Sequence, residues 1–170
     1  MCARKYGGSI MIKRLGKEDV ETLYGFLTTQ LSNDDRELFK PHSFKKEDLT
    51  RILGSANVYV GYFEGEQMAG YGLLRFHRNF KYPMVGVAVS KNHRGKGIGS
   101  QIIQYFISTS KVDIIKCKVY ADNPASLALF KKLGFQFKVY EWIGEHRRGT
   151  MYTNQSQESK DKLRDLRKTL

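Results

Sequence analysis

One stretch of the chain carries residue types suited to holding an anion. It reads Val87-Ala88-Val89-Ser90-Lys91-Asn92-His93-Arg94-Gly95-Lys96-Gly97-Ile98-Gly99-Ser100. An apolar strand pattern runs into a basic, glycine-rich turn, and a helical pattern follows at once. The first amides of a helix lack intrahelical partners and carry partial positive charge. Glycines leave the backbone bare, so a diphosphate can come close to those amides. Arg94 and Lys96 add formal charge, and Lys91 can reach an outlying phosphate. The competing reading is a tight strand-to-helix turn with solvated basic residues. Two other phosphate loops are excluded. The run lacks the Gly-Lys-Ser/Thr ending of a P-loop. It also reads Arg-Gly-Lys-Gly-Ile-Gly rather than Gly-x-Gly-x-x-Gly, with no ribose-binding acid at the expected distance.

The elements that must position this turn follow from periodicity. Residues 10–14 form a short strand candidate. Lys17 to Leu31 has apolar residues at Val20, Leu23, Tyr24, Leu27 and Leu31, which is helical spacing. Asn33 to Phe44 reads as a loop with a helical turn, and Lys46 to Leu53 as a short helix stopped by Gly54. Residues 57–63 and 67–76 form a hairpin about Glu64-Gly65-Glu66, and Tyr82 to Val89 is an apolar third strand. Ile98 to Thr109 is a helix and Ile114 to Tyr120 a strand. Pro124 to Leu133 is a helix bracketed by Pro near its start and Gly134 after its end, with Asn123 as its natural N-cap. Phe135 to Ile143 is a strand, and Thr150 to Thr153 suggests another. This order predicts a mixed α/β (α+β) sheet with helices on its faces.

Bulk properties narrow the class. At 170 residues the chain fits one domain, expected over 1–153, with 154–170 a polar tail that is a peripheral helix or disordered. With 41% hydrophobic and 27% charged residues the composition is globular rather than disordered. No apolar run approaches the roughly 20 residues that span a bilayer, so no membrane insertion is expected. The first residues lack the apolar core of a secretory signal. Cys2 and Cys117 have no metal spacing, so no metal and no disulfide are expected, and a cytoplasmic location is the default. The net charge of +12 favours a phosphorylated or otherwise anionic partner, with a solvated basic surface as the plain alternative.

Taken together, Val89 with Arg94-Gly95-Lys96-Gly97-Ile98-Gly99, followed by Asn123, Ala125-Ser126, Leu129-Phe130 and Leu133-Gly134-Phe135, resembles the GNAT superfamily of acyl-CoA-dependent N-acetyltransferases. The resemblance covers about residues 82–136. It implies acetyl-CoA as cosubstrate and a mostly antiparallel sheet of six to seven strands, splayed where the pantetheine arm enters. The backbones of Val87 and Val89 would pair with that arm and polarise the thioester carbonyl. Amides from Gly95 through Lys96, Gly97, Ile98 and Gly99 to Ser100 would hold the diphosphate, with Arg94 beside them. Asn123 would contact the pantetheine or serve only as a cap.

The catalytic positions depart from the family pattern. The usual tyrosine acid corresponds to Phe130, which has no proton to give, and the usual glutamate corresponds to Lys118. Strand alternation puts Tyr120 on the face of Lys118, opposite Cys117 and Val119, so Tyr120 is the replacement acid candidate. His42, within Phe39-Lys40-Pro41-His42-Ser43-Phe44, is the base candidate, ahead of His77, with a water as the third alternative. Tyr140 is a weaker acid candidate. His93 reads as loop packing and His146 as solvent-exposed. Each histidine has an ordinary structural reading as well.

The expected acceptor is a small-molecule amine, an amino sugar or a nucleotide-linked amino sugar, bound by a monomer or homodimer. A polyamine fits poorly because a +12 protein repels a polycation. Two alternatives stand beside it. One is acetylation of a protein N-terminus or lysine. The other is a non-catalytic module that senses CoA or binds nucleic acid, although nucleic acid is not the expected partner.

Overall fold

The structure is a computed structural model that describes residues 9–78, 81–143 and 146–154. Among the described residues, seven strands form one sheet. They are β1 (Ile10–Arg14), β2 (Val58–Glu64), β3 (Gln67–Arg75), β4 (Met84–Val89), β5 (Ile114–Tyr120), β6 (Gln136–Ile143) and β7 (His146–Asn154). Their spatial order is β1-β2-β3-β4-β5-β7-β6. All neighbouring pairs are antiparallel except β4 with β5, which run parallel. The hairpin and the strand–helix–strand run read from the sequence are both present. β7 is longer than the Thr150–Thr153 suggested by pattern, because it inserts between β5 and β6 and is paired on both edges. The polar tail beyond Asn154, expected as a peripheral helix or disordered, and Cys2 lie outside the described residues.

Two apolar cores flank the sheet. Helices α4 (Ile98–Thr109) and α5 (Pro124–Lys132) cover one face, where Ile98, Ile102, Phe106 and Phe130 meet Val60, Cys117 and Val119. Helices α1 (Val20–Gly25), α2 (Asn33–Leu38) and α3 (Lys46–Leu53) lie on the other side, where Leu23, Leu27 and Leu49 pack with Tyr59, Tyr71 and Leu73. The single helix expected over Lys17–Leu31 is a continuous run of changing pitch. A 3₁₀ turn (Lys17–Asp19) opens it and a π turn (Phe26–Gln30) closes it.

The seat of α4 depends on two glycines of β3. A Cβ at Gly72 would lie 2.3 Å from Ile102 Cγ2 and 2.9 Å from Phe106 Cε2. A Cβ at Gly70 would lie 2.8 Å from Ile98 Cγ2. Bare backbone at both positions lets α4 rest directly on the sheet, and this sets the height of its N-terminus above β4. Gly72→Ala is expected to overpack this contact and to cost about 1–3 kcal/mol, read as a lower urea midpoint at unchanged slope.

His42 takes a different place from the acceptor base expected of it. Its Nδ1 lies 2.8 Å from the Ser43 carbonyl oxygen and its Nε2 lies 2.8 Å from the Tyr71 hydroxyl. A carbonyl only accepts, so Nδ1 carries the proton and Nε2 accepts from Tyr71. The Tyr71 ring is fully buried and burial raises its hydroxyl well above the ordinary tyrosine range. Tyr59 stacks parallel to Tyr71 at 6.5 Å, and His42 meets both rings edge-on. Arg75 donates to the Pro41 carbonyl one residue away. The imidazole therefore ties the α2–α3 connection to β3, and its one lone pair is already engaged.

Burial, reinforced by the nearby Arg75 charge, holds the His42 pKa below its ordinary value, outweighing the Ser43 bond and the Asp48 charge. The unfolded chain then binds this proton more readily than the folded one. The contribution is complete above about pH 6.5 and shrinks as pH falls from there towards the depressed folded value. Urea unfolding across that window should show stability falling with acidification, and His42→Gln should flatten the slope.

Candidate functional site

β4 and β5 are joined by one register pair, Met84 with Lys116, and by the Lys116 amide donating to the Pro83 carbonyl at 3.0 Å. Beyond this point they diverge. Backbone groups of successive strand residues point to opposite neighbours. The Ser90 amide donates to Ala69 of β3 at 3.0 Å, and the Pro83 carbonyl faces β5. Alternation between these two anchors turns Gly86 and Ala88 towards β3. It turns Val87 and Val89 towards β5, where no ladder continues. A cleft of about 420 Å³ occupies the gap, walled by β4, β5, α2 and the starts of α4 and α5.

The glycine turn ends this gap. Gly95 and Gly97 both have φ of +77°, a left-handed conformation that side chains rarely adopt. A Cβ at either would meet no protein atom, so the space above them is open to a ligand. Gly97 is the N-cap of α4 and no side chain caps that terminus, and the first helical bond runs from Gln101 back to Gly97. The amides of Ile98, Gly99 and Ser100 are therefore oriented at the cleft without intrahelical acceptors. Gly99 has a second role. A Cβ there would lie 3.1 Å from Leu129 Cδ2, so its absence lets α4 and α5 close over the gap.

The loop is braced from behind. The Ser90 hydroxyl lies 2.7 Å from His93 Nδ1 inside the protein, and His93 Nε2 lies 3.8 Å from Glu64 Oε2. Lys96 reaches the same carboxylate at 3.8 Å and is not among the cleft-lining residues. Its side chain thus points back over β2, while its neighbours Gly95 and Gly97 line the cleft. Arg94 crosses the mouth. Its Nε donates to the Val89 carbonyl at 3.2 Å, and its guanidinium pairs with Asp35 at 2.5 Å.

Asp35 and Leu38 of α2 line the cleft and were not singled out from the sequence. Ser32-x-x-Asp35 forms a capping box, with Ser32 and Asp35 each accepting from the other's backbone amide. That pattern signals a helix start and gives no hint of Arg94. Burial pushes the Asp35 carboxyl up, but the bonds from Arg94 and Ser32 prevail and hold it below the ordinary range.

Most of the remaining candidates come together. Asn123 lines the cleft and caps α5, its Oδ1 accepting from the Ser126 amide at 3.1 Å. Its NH₂ group is left for other partners. Phe130 is buried on Phe135, edge-on at 5.0 Å, and presents only carbon to the cleft. Cys117 and Val119 lie in the α4 core, so Lys118 and Tyr120 project on the opposite face, and both line the cleft. His42 and His77 are absent from the lining. The side chains of Tyr140 and His146 lie outside what the structure describes. Among the described residues no cluster of metal-ligating side chains is present.

Known proteins are similar to this chain in sequence and in fold. N-alpha-acetyltransferase RimI of Mycobacterium tuberculosis is 30% identical over 99 residues, covering 56% of this chain and 60% of that protein. A longer Mycobacterium leprae protein is 28% identical over 88 residues, of which 24% of its length is matched. The chain thus spans about 60% or less of the length of these curated relatives. Among solved structures, yncA of Salmonella typhimurium with its cofactor acetyl-CoA superposes with a TM-score of 0.67 at 17% identity, covering 87% of this chain and 95% of that one. That likeness shows the fold. The family model described as acetyltransferase (GNAT) family matches residues 21–135, which include the glycine turn, the splayed strands and the Asn123 cap. The chain belongs to the acetyltransferase (GNAT) family.

Proposed function

We propose that this protein transfers the acetyl group of acetyl-CoA to a primary amine by direct attack in a ternary complex. The observation that carries the reading is the stretch of β4 where the ladder to β5 stops, which leads to a helix terminus that no side chain caps. Acetyl-CoA supplies an activated thioester and a diphosphate, and the residues present suit both. Val87 offers both its backbone groups, and Val89 its amide, to an extended amide-bearing arm lying as an extra strand, the Val89 carbonyl being held by Arg94. A backbone amide aimed at the thioester oxygen would stabilise the negative charge that develops there. Gly95, Gly97, Ile98, Gly99 and Ser100 offer amides to the diphosphate. Arg94 would exchange Asp35 for phosphate oxygens, Lys96 would add charge from the loop's outer side, and Asn123 would donate from its NH₂ group to the arm.

The chemistry needs little more from the protein. The acceptor amine attacks as the free base, and its proton leaves to water, because the lone pair of His42 is taken by Tyr71. Tyr120 donates a proton to the departing thiolate from the cleft wall. The thiol's pKa of about 8.5 makes it a tolerable leaving group, so this donation assists and is not obligatory. The acceptor we favour is a small amine such as an amino sugar or nucleotide-linked amino sugar, which suits the apolar ledge of Leu38 and Phe39. Similarity to RimI supports a second reading, in which the acceptor is a protein N-terminus.

Release of free thiol from acetyl-CoA, followed with panels of amino sugars and N-terminal peptides, separates these readings. Tight CoA binding with no turnover on any amine would leave only a binding module. Gly97→Glu places bulk and negative charge at the phosphate cradle and should reduce acetyl-CoA affinity at least about 100-fold. Unchanged affinity in the folded variant, measured by calorimetry, would overturn the cradle. Tyr120→Phe should lower kcat by about tenfold or more with little change in acetyl-CoA affinity. An unaltered kcat and pH–rate profile would remove Tyr120 from the acid role.

A further inference from the structure

One ion pair crosses the mouth of the cleft, and both of its members line the cleft itself. Arg94 comes from the glycine turn and Asp35 from α2. The guanidinium meets Asp35 Oδ1 at 2.5 Å, and the Asp35 side chain is only 17% exposed. The other carboxylate oxygen accepts from the Ser32 amide at 3.0 Å. Burial pushes this carboxyl up, but the bonds from Arg94 and Ser32 hold it below the ordinary range, so it is ionised at neutral pH. Among the described residues lining the cleft, Asp35 is the one carboxylate. The helix that carries it is lightly seated, since no residue of α2 is buried. It is tied back by Arg36, which donates to the Thr28 carbonyl at 3.1 Å, and by the Phe39 ring, edge-on to Tyr71 just beyond its end.

Arg94 is anchored independently of Asp35. Its Nε bond to the Val89 carbonyl fixes the guanidinium at the end of β4, whichever anion its terminal nitrogens meet. A guanidinium receives a carboxylate or a phosphate through the same planar fork. Asp35 and a diphosphate at the turn therefore compete for one cation. We propose that Asp35 is an autoinhibitory placeholder, which occupies Arg94 in the empty cleft, ties α2 across the mouth, and yields to a ligand that carries phosphate. This inference rests on the diphosphate placement argued above and adds to it a competitor within the chain. The sign of the effect separates this from an orienting role. A carboxylate that only aimed Arg94 at the diphosphate would weaken binding when lost, whereas a competitor weakens binding while it is present.

The test is calorimetric titration of the full chain with CoA, with inorganic pyrophosphate, and with S-acetylpantetheine, which has the thioester arm and no phosphate. Asp35→Asn keeps an oxygen for the Ser32 amide and removes the charge that holds Arg94. It should bind CoA and pyrophosphate about three- to tenfold more tightly than the unaltered chain, with S-acetylpantetheine unchanged. Asp35→Gln, which removes the same charge with different packing, should repeat the gain. Asp34→Asn removes a charge from an exposed position of α2 outside the cleft lining and should change none of the three affinities. Unchanged or weaker binding of CoA and pyrophosphate in both Asp35 variants overturns the proposal. An equal gain in Asp34→Asn, or an equal gain for S-acetylpantetheine, overturns it too. Gly97→Glu keeps the two readings apart. Lost CoA affinity in Gly97→Glu with no gain in the Asp35 variants sinks the placeholder alone, and that gain with unchanged affinity in Gly97→Glu sinks the cradle alone.

Discussion

The site depends on a sheet that stops pairing. β4 and β5 begin as neighbours at Met84 and Lys116, then part before the ladder can extend. Unpaired backbone groups inside a protein are costly, so a strand left half-bonded implies a partner from elsewhere. Val87 and Val89 lie on that open edge, and the direction of their groups follows from the two anchoring bonds at Pro83 and Ser90. An extended ligand with alternating donors and acceptors meets the same requirement that a missing strand would.

What holds the gap in shape is packing at some distance from it. Gly70 and Gly72 lower α4 onto β3, and Gly99 lets α5 close on α4. The helix terminus is thereby held at the end of the gap, where its amides and partial positive charge have most effect on an anion. The buried Ser90–His93 pair, with Glu64 behind it, keeps the turn from collapsing into that space. On the other side of the sheet His42 and Tyr71 tether the connection that follows α2, the helix whose Asp35 meets Arg94 at the mouth. Backbone geometry, core packing and charge pairing thus converge on one opening.

Electrostatics then divide the opening into two ends. At one, Arg94 and the bare amides at the start of α4 line the cleft. At the other, Lys118 and Tyr120 of β5 line the cleft with Leu38 and Phe39.

Much of this was legible in the chain itself. Glycine spacing, the Pro124–Gly134 bracket and the period-two runs are local signals, because propensity and steric limits act over a few residues. They suffice for the hairpin, the glycine turn, the α5 cap and the shared face of Lys118 and Tyr120. Other features were settled by contacts between segments far apart in sequence. The full length of β7 arises from pairing on two edges, the engagement of the His42 lone pair from a tyrosine on β3, and the place of Asp35 from an arginine on another loop. The direction of Lys96, away from the cleft towards Glu64, has the same origin. Residue type and spacing determine which groups are available, and only the packed chain decides which of them are already spent on one another.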